Sequence, residues 1–237
     1  MDLREQPVVF AVPGDDRVEV TKGAEIAGMQ ADVYSPRDRK SDSVVVMVNG
    51  YAEEGYKRVL GCSFLDMRHT KSWARLFAGS GLTAIAYANR EPIADATAIV
   101  RSVRGEYRRV AVWATSGSGP TGLSAARDAD CAVFLYPYTL AVADAAAQFH
   151  FSDPALGSDD VNWSVPTFIG RAGKDPCPGL NDALDRFVAE GLKRGLPLTL
   201  VNHPAGPHAF DLFDDSDTTR DLVRQAVEFL RLRLARA

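Results

Sequence analysis

Cysteine is scarce: Cys62, Cys131 and Cys177 are the only three in 237 residues. Their number is odd and no two form a CxxC pair. That excludes a disulfide framework and a cysteine-based zinc site, and it points to a reducing compartment. Long apolar runs are also missing, since none approaches the ~18–20 residues of a membrane span. The opening stretch MDLREQPVVF carries charges where a secretory signal has its apolar core. There is no clustered basic face either. Basic residues number 27 against 31 acidic ones, a net charge of −4. The one dense basic stretch, Arg101–Arg109, is interrupted by Glu106 and reads as a solvated helix end rather than a nucleic-acid surface. No repeat, low-complexity stretch or linker divides the chain. The expectation is one soluble, cytoplasmic domain over residues 1–237 that binds neither nucleic acid nor membrane.

What is present is an alternation of two patterns. Short, continuously apolar runs occur at Val44–Val48, Leu82–Ala88, Arg109–Ala114, Cys131–Leu135, Thr167–Arg171 and Leu198–Val201. Runs without polar alternation belong to strands covered on both faces, as in a parallel sheet. Between them lie amphipathic helical stripes. Asn181–Arg194 places Leu184, Phe187, Val188 and Leu192 on one face and stops at Gly195 and Pro197. Lys71–Ser80 and the segment from Asp217 carry similar stripes. Strand–helix–strand alternation implies right-handed βαβ units with helices on both faces of one sheet. Arg17–Thr21 and Met29–Tyr34 have only a turn between them and are expected to pair antiparallel at one edge. Two connections are long. Gly50–Thr70 has the length of a functional loop, and Tyr136–Pro166 carries an Ala-rich helical stretch near Leu140–Gln148 but is too short for a large lid.

The segment Arg109–Gly122, RVAVWATSGSGPTG, runs a strand into a tight turn of small residues. One reading is a nucleophile elbow centred on Ser116, with Ala114 and Ser118 two positions to either side. A sharp turn lifts the serine hydroxyl above the sheet and brings those flanking positions together, so both must be small. The Gly117 N–H then points at a developing oxyanion. The competing reading is a dinucleotide loop, because Gly117, Gly119 and Gly122 match GxGxxG. That site wants an acidic residue at the end of the next strand, whereas Cys131–Leu135 leads into Tyr136-Pro137-Tyr138. The elbow is therefore preferred. A phosphate-loop reading of Gly170–Asp175, GRAGKD, fails at two of its required positions.

A serine nucleophile needs a base, and the base needs an orienting group. Of the four histidines, His203 and His208 follow the last strand. His203 is pinned at the strand end by Pro204, while His208 lies in the following loop and can swing toward a neighbouring strand, so His208 is favoured. Asp175 is the first carboxylate after Thr167–Arg171, with Asp211 a weaker rival. The spacings leave room for a helical crossover between successive members, so Ser116, Asp175 and His208 arise at the carboxyl ends of three strands, where sites in open α/β sheets form. A second oxyanion donor is expected from the Tyr51 N–H after Asn49-Gly50. Tyr51, Tyr56, Phe64, Tyr138 and Trp163 are candidates for lining a pocket.

The segments VVVMVNGY, SWARLFAGSGLTAIAY, VAVWATSGSGPTGL, RAGKDPCPGLNDALDRF and VNHPAGPHAFD together resemble the α/β-hydrolase superfamily, and within it the dienelactone-hydrolase-like, small serine esterase branch. The resemblance runs from about Met29 to the C-terminus. It implies an α/β-hydrolase fold with an eight-stranded, mostly parallel sheet. It also implies Ser116 as nucleophile, His208 as base and Asp175 as orienting acid, acting without cofactor or metal on a small carboxylic ester, thioester or lactone. Three features depart from the pattern, the first being Ala114 and Ser118 where elbow glycines are commoner. Serine stands where dienelactone hydrolases use cysteine, and Ala209–Phe213 lacks the arginine that grips a substrate carboxylate.

Overall fold

In the computed structural model, residues 3–139 and 161–235 are described. One sheet of eight strands organises them: β1 (Val18–Ile26), β2 (Met29–Pro36), β3 (Ser43–Met47), β4 (Thr83–Tyr87), β5 (Arg109–Thr115), β6 (Cys131–Leu135), β7 (Thr167–Ala172) and β8 (Leu198–His203). Their spatial order is β1-β2-β4-β3-β5-β6-β7-β8. β1 pairs antiparallel with β2, and β2 antiparallel with β4. Every other pairing is parallel. The helices are α1 (Glu53–Leu60), α2 (Arg68–Gly79), α3 (Pro92–Val103), α4 (Gly119–Ala125), α5 (Leu180–Lys193), α6 (Phe210–Phe213) and α7 (Asp217–Leu234).

The continuous apolar runs are explained by two cores, one on each face of the sheet. Side chains alternate along a strand, so β3 sends Val45 and Met47 into one core and Val44 and Val46 into the other, where Val48 just beyond it joins them. Trp73 and Phe77 of α2 and Leu222, Ala226 and Leu230 of α7 close the first core. Ile99 and Val100 of α3, Leu123 of α4 and Leu184 and Phe187 of α5 close the second. The edge β1 has only one covered face, and its burial alternates accordingly.

Two expectations need correction. Gly50–Thr70 is not an unstructured loop: it contains α1 and the start of α2. Trp163 does not line the cavity beside Ser116: its ring packs 5.1 Å from Phe187 under the Arg194 guanidinium, beside the second core. The expected helix near Leu140–Gln148 lies outside the described residues. The basic stretch is neutralised locally: Arg101 pairs with Asp128, and Arg104 and Arg109 pair with Asp130. Among the described residues no helix is long and apolar enough to cross a membrane.

Strand order reverses around β3, because the chain steps from β3 to one neighbour, β4, and then to the other, β5. At such a switch point adjacent loops diverge and leave a crevice above the carboxyl ends. Because the two cores support the sheet under that crevice, truncating either should cost fold stability. Ile99→Ala, at a fully buried position, is expected to lower the unfolding free energy by about 2–5 kcal/mol, as read by denaturant titration.

Candidate active site

β5 ends at Thr115, and the chain turns at once through Ser116–Ser118 into α4. Ser116 has φ +48°, a left-handed conformation that is uncommon for a side-chain-bearing residue. Its neighbours make the turn possible. A Cβ at Gly50 would lie 2.5 Å from the Gly117 carbonyl oxygen and 2.9 Å from Ser118 Cα. A Cβ at Gly119 would fall on the Tyr138 carbonyl oxygen, and one at Gly122 would lie 2.8 Å from both Ala114 Cβ and the Phe134 ring. Thus two glycines of the GxGxxG pattern serve close packing of helix on strand.

The structure brings Ser116, His208 and Asp175 into one hydrogen-bonded chain. Ser116 Oγ is 2.8 Å from His208 Nε2, and His208 Nδ1 is 2.6 Å from Asp175 Oδ2. The Asp175 side chain is fully buried. Its Oδ1 accepts the Cys177 N–H at 2.9 Å. Burial raises the Asp175 carboxyl, but the hydrogen bond and charge of His208 outweigh it and hold the group below the ordinary carboxylate value. An ionised carboxylate only accepts, so Nδ1 carries the imidazole proton and Nε2 is left to accept the Ser116 hydroxyl. The loops carrying the acid and the base are themselves joined: Gly173 N–H donates to the His203 carbonyl at 2.8 Å, and Lys174 N–H to that of Gly206 at 2.9 Å.

Gly117 and Tyr51, the expected oxyanion donors, come from two loops. Gly117 lies in the first turn after β5, where helical N–H groups have no intrahelical acceptor. Tyr51 reaches the same cavity from the β3 loop. Its N–H donates to Asn49 Oδ1 at 3.2 Å, and the Gly50 N–H donates to Ser118 Oγ at 3.0 Å.

A cavity of about 330 Å³ opens beside Ser116 and His208. Tyr51, Tyr56, Phe64 and Tyr138 line it, joined by Val59, Leu60, Met67 and Leu212. Its character is apolar and aromatic. Cys177 also borders it, with burial pushing its thiol up to about 11. Donor atoms of Asp175, Cys177 and His208 lie within 4.8 Å of one another. This is the one potential metal-ligating group of three or more among the described residues. A thiol protonated at neutral pH and a carboxylate already bound to imidazole make it a poor ligand set as it stands.

Asp211, the weaker candidate for the acid, has a separate place. It is fully buried, and its carboxylate accepts hydrogen bonds from His69 Nε2 and Trp73 Nε1, both at 2.7 Å, and from the Tyr136 hydroxyl at 2.6 Å. Burial raises this carboxyl too, but the His69 charge and the three hydrogen bonds outweigh it and hold it below its ordinary value. Neither His69 nor Tyr136 was identifiable as part of the site from the sequence. The only local signal was a histidine and an aromatic residue near strand or helix ends. His203 is engaged elsewhere: its Nε2 lies 2.7 Å from Asp214 Oδ2 and 2.9 Å from Thr219 Oγ1 at the start of α7.

No family model matches the chain, and no curated protein matches it. Solved structures do. DphMB1 aligns over 98% of this chain and 90% of its own, with TM-score 0.73 and 17% identity. An esterase from the bacterial hormone-sensitive lipase family aligns over 94% and 86%, with TM-score 0.67 and 16% identity. The Pyrobaculum calidifontis esterase aligns over 97% and 87%, with TM-score 0.69 and 20% identity. The described residues form an α/β fold built on one eight-stranded, mostly parallel sheet, the fold of these solved esterases.

Both buried carboxylates have lowered folded values. Their stabilising contribution is therefore complete above the unfolded value near 3.8 and is lost as pH falls through the lower folded values. Denaturant titrations should show little change from pH 7 to 5 on this account and a steep loss of stability below about pH 4. Asp211→Asn should flatten that acid loss.

Proposed function

We propose that the protein is a serine hydrolase of small carboxylic esters, with thioesters and lactones in the same class. The observation that carries this reading is the chain of hydrogen bonds from Ser116 Oγ through His208 to Asp175. Esterases of the same fold support it. So does the apolar cavity beside the hydroxyl, which suits an acyl or alcohol group of modest size.

In this reading Ser116 Oγ attacks the acyl carbon while His208 Nε2 takes its proton. Asp175 keeps Nδ1 protonated and stabilises the imidazolium that forms. Negative charge on the former carbonyl oxygen is met by the N–H groups of Gly117 and Tyr51, each contributing about 3–4 kcal/mol. For Tyr51 this means exchanging the long bond to Asn49 Oδ1 for a shorter, charge-assisted one. The tetrahedral adduct collapses, the alcohol or thiol leaves with the proton from Nε2, and an acyl-Ser116 remains. Water, deprotonated by His208, attacks that acyl carbon and releases the acid and the free hydroxyl. Every step uses groups of this chain.

The dienelactone-hydrolase-like assignment belongs to the same proposal, on the strength of the segments that resemble that branch. The missing arginine after His208 favours neutral acyl groups over carboxylate-bearing lactones. An odd number of cysteines, three, with no CxxC pair supports a cytoplasmic setting.

Ser116→Ala is expected to lower turnover of a short-chain nitrophenyl ester by about 10³-fold or more with the fold intact. A fluorophosphonate is expected to label the parent protein at Ser116 and leave the variant unlabelled. Parent-like turnover in the folded variant would reject the proposal.

A further inference from the structure

The His208 loop has to keep its imidazole within hydrogen-bond reach of Ser116, although the loop leaves β8 and the hydroxyl stands at the end of β5, three strands away. Asp175 holds one nitrogen of the ring, and the Lys174 N–H holds the Gly206 carbonyl two residues before it. Three residues beyond His208 the chain is fastened much more firmly. Asp211 is fully buried and gathers donors from two separate elements: His69 and Trp73 on α2, and Tyr136 at the end of β6. Its own carbonyl also accepts the Val9 N–H at 2.8 Å. Between base and anchor, Ala209 is held at φ +55°, a left-handed conformation that an alanine adopts only when its surroundings impose it.

The anchor also touches the base through Tyr136. That residue is itself in the left-handed region, at φ +38°. Its ring meets the His208 imidazole edge-on with centroids 4.9 Å apart, and meets Phe210 at 5.2 Å. Its hydroxyl ends on Asp211 Oδ1. The same carboxylate therefore fixes both the backbone that carries the imidazole and the aromatic wall against which it stands.

We infer that Asp211 is a positioning residue for His208: the buried carboxylate, clamped by His69, Trp73 and Tyr136, sets where the base sits relative to Ser116. The inference rests on the hydrolase reading of Ser116 and His208. A neutral amide cannot replace the carboxylate. Asn offers one acceptor atom for three donors and turns its NH₂ toward at least one of them, so the clamp loosens. No substrate contact is lost by this change, so the damage should fall on the chemical step.

The test is steady-state kinetics of Asp211→Asn on a short-chain nitrophenyl ester, at a temperature well below its measured Tm, with fluorophosphonate labelling rates alongside. In the folded variant kcat is expected to fall about 30-fold or more with KM within about threefold, and labelling of Ser116 to slow by a similar factor. A kcat and labelling rate within about twofold of the parent would overturn the inference. Should Asp211→Asn not fold, Tyr136→Phe decides. It removes one donor and keeps the ring, and it is expected to lower kcat about fivefold at unchanged KM, a parent-like kcat overturning the inference. Ser116→Ala run in parallel separates the two claims. If that variant keeps parent activity, the hydrolase reading fails. If it is inactive while the Asp211 and Tyr136 variants behave as the parent does, only the positioning role fails.

Discussion

The turn at Ser116 is the constraint on which the rest depends. A residue with a side chain is held at positive φ where β5 gives way to α4. It can be held there only because backbone and ring atoms occupy the space that larger neighbours would need: Gly117 and Ser118 against Gly50, the Tyr138 carbonyl against Gly119, and Phe134 against Gly122. Strain of this kind persists where the surroundings over-determine it. The surroundings here are the ends of β3, β5 and β6, packed side by side, while the loops after β7 and β8 bring Asp175 and His208 into range.

Much of this arrangement could be read in the amino-acid sequence, and the parts that could not share a physical cause. The inner strands were legible because covered strands are apolar throughout; Cys131–Leu135 is found with the expected boundaries. The residues of the hydrogen-bonded chain were legible because each follows the carboxyl end of a strand with turn chemistry around it. α1 was missed: among its eight residues only Tyr56 is buried, and its apolar face, Tyr56, Val59 and Leu60, is one turn long, too short to make a stripe of several turns. α3 does carry one, in Ala96, Ile99, Val100 and Val103, and was overlooked between two stronger strand signals.

The Asp211 cluster was invisible for a different reason. Its contacts join residues 142, 138 and 75 positions apart. No window of sequence contains two of its members except His69 and Trp73, one helical turn apart. Position alone had cast Asp211 as a rival to Asp175. Burial and partners separate the two: one carboxylate faces an imidazole in the cavity, and the other is enclosed by donors within the fold. Two acidic side chains, one in the loop after β7 and one in α6, thus come to do unlike work through their surroundings.

The sheet divides the protein into halves of unequal consequence. His69, Trp73, Tyr136 and Phe210, which surround the base and its loop, belong to or border the core closed by α2 and α7, whereas the core closed by α3, α4 and α5 supplies the underside of the elbow and the far flank of the sheet. Sequence drift in α3 or α5 is buffered by a full layer of β-structure before it reaches the imidazole. Drift in α2 is transmitted through a single carboxylate, so the two flanks should diverge at different paces.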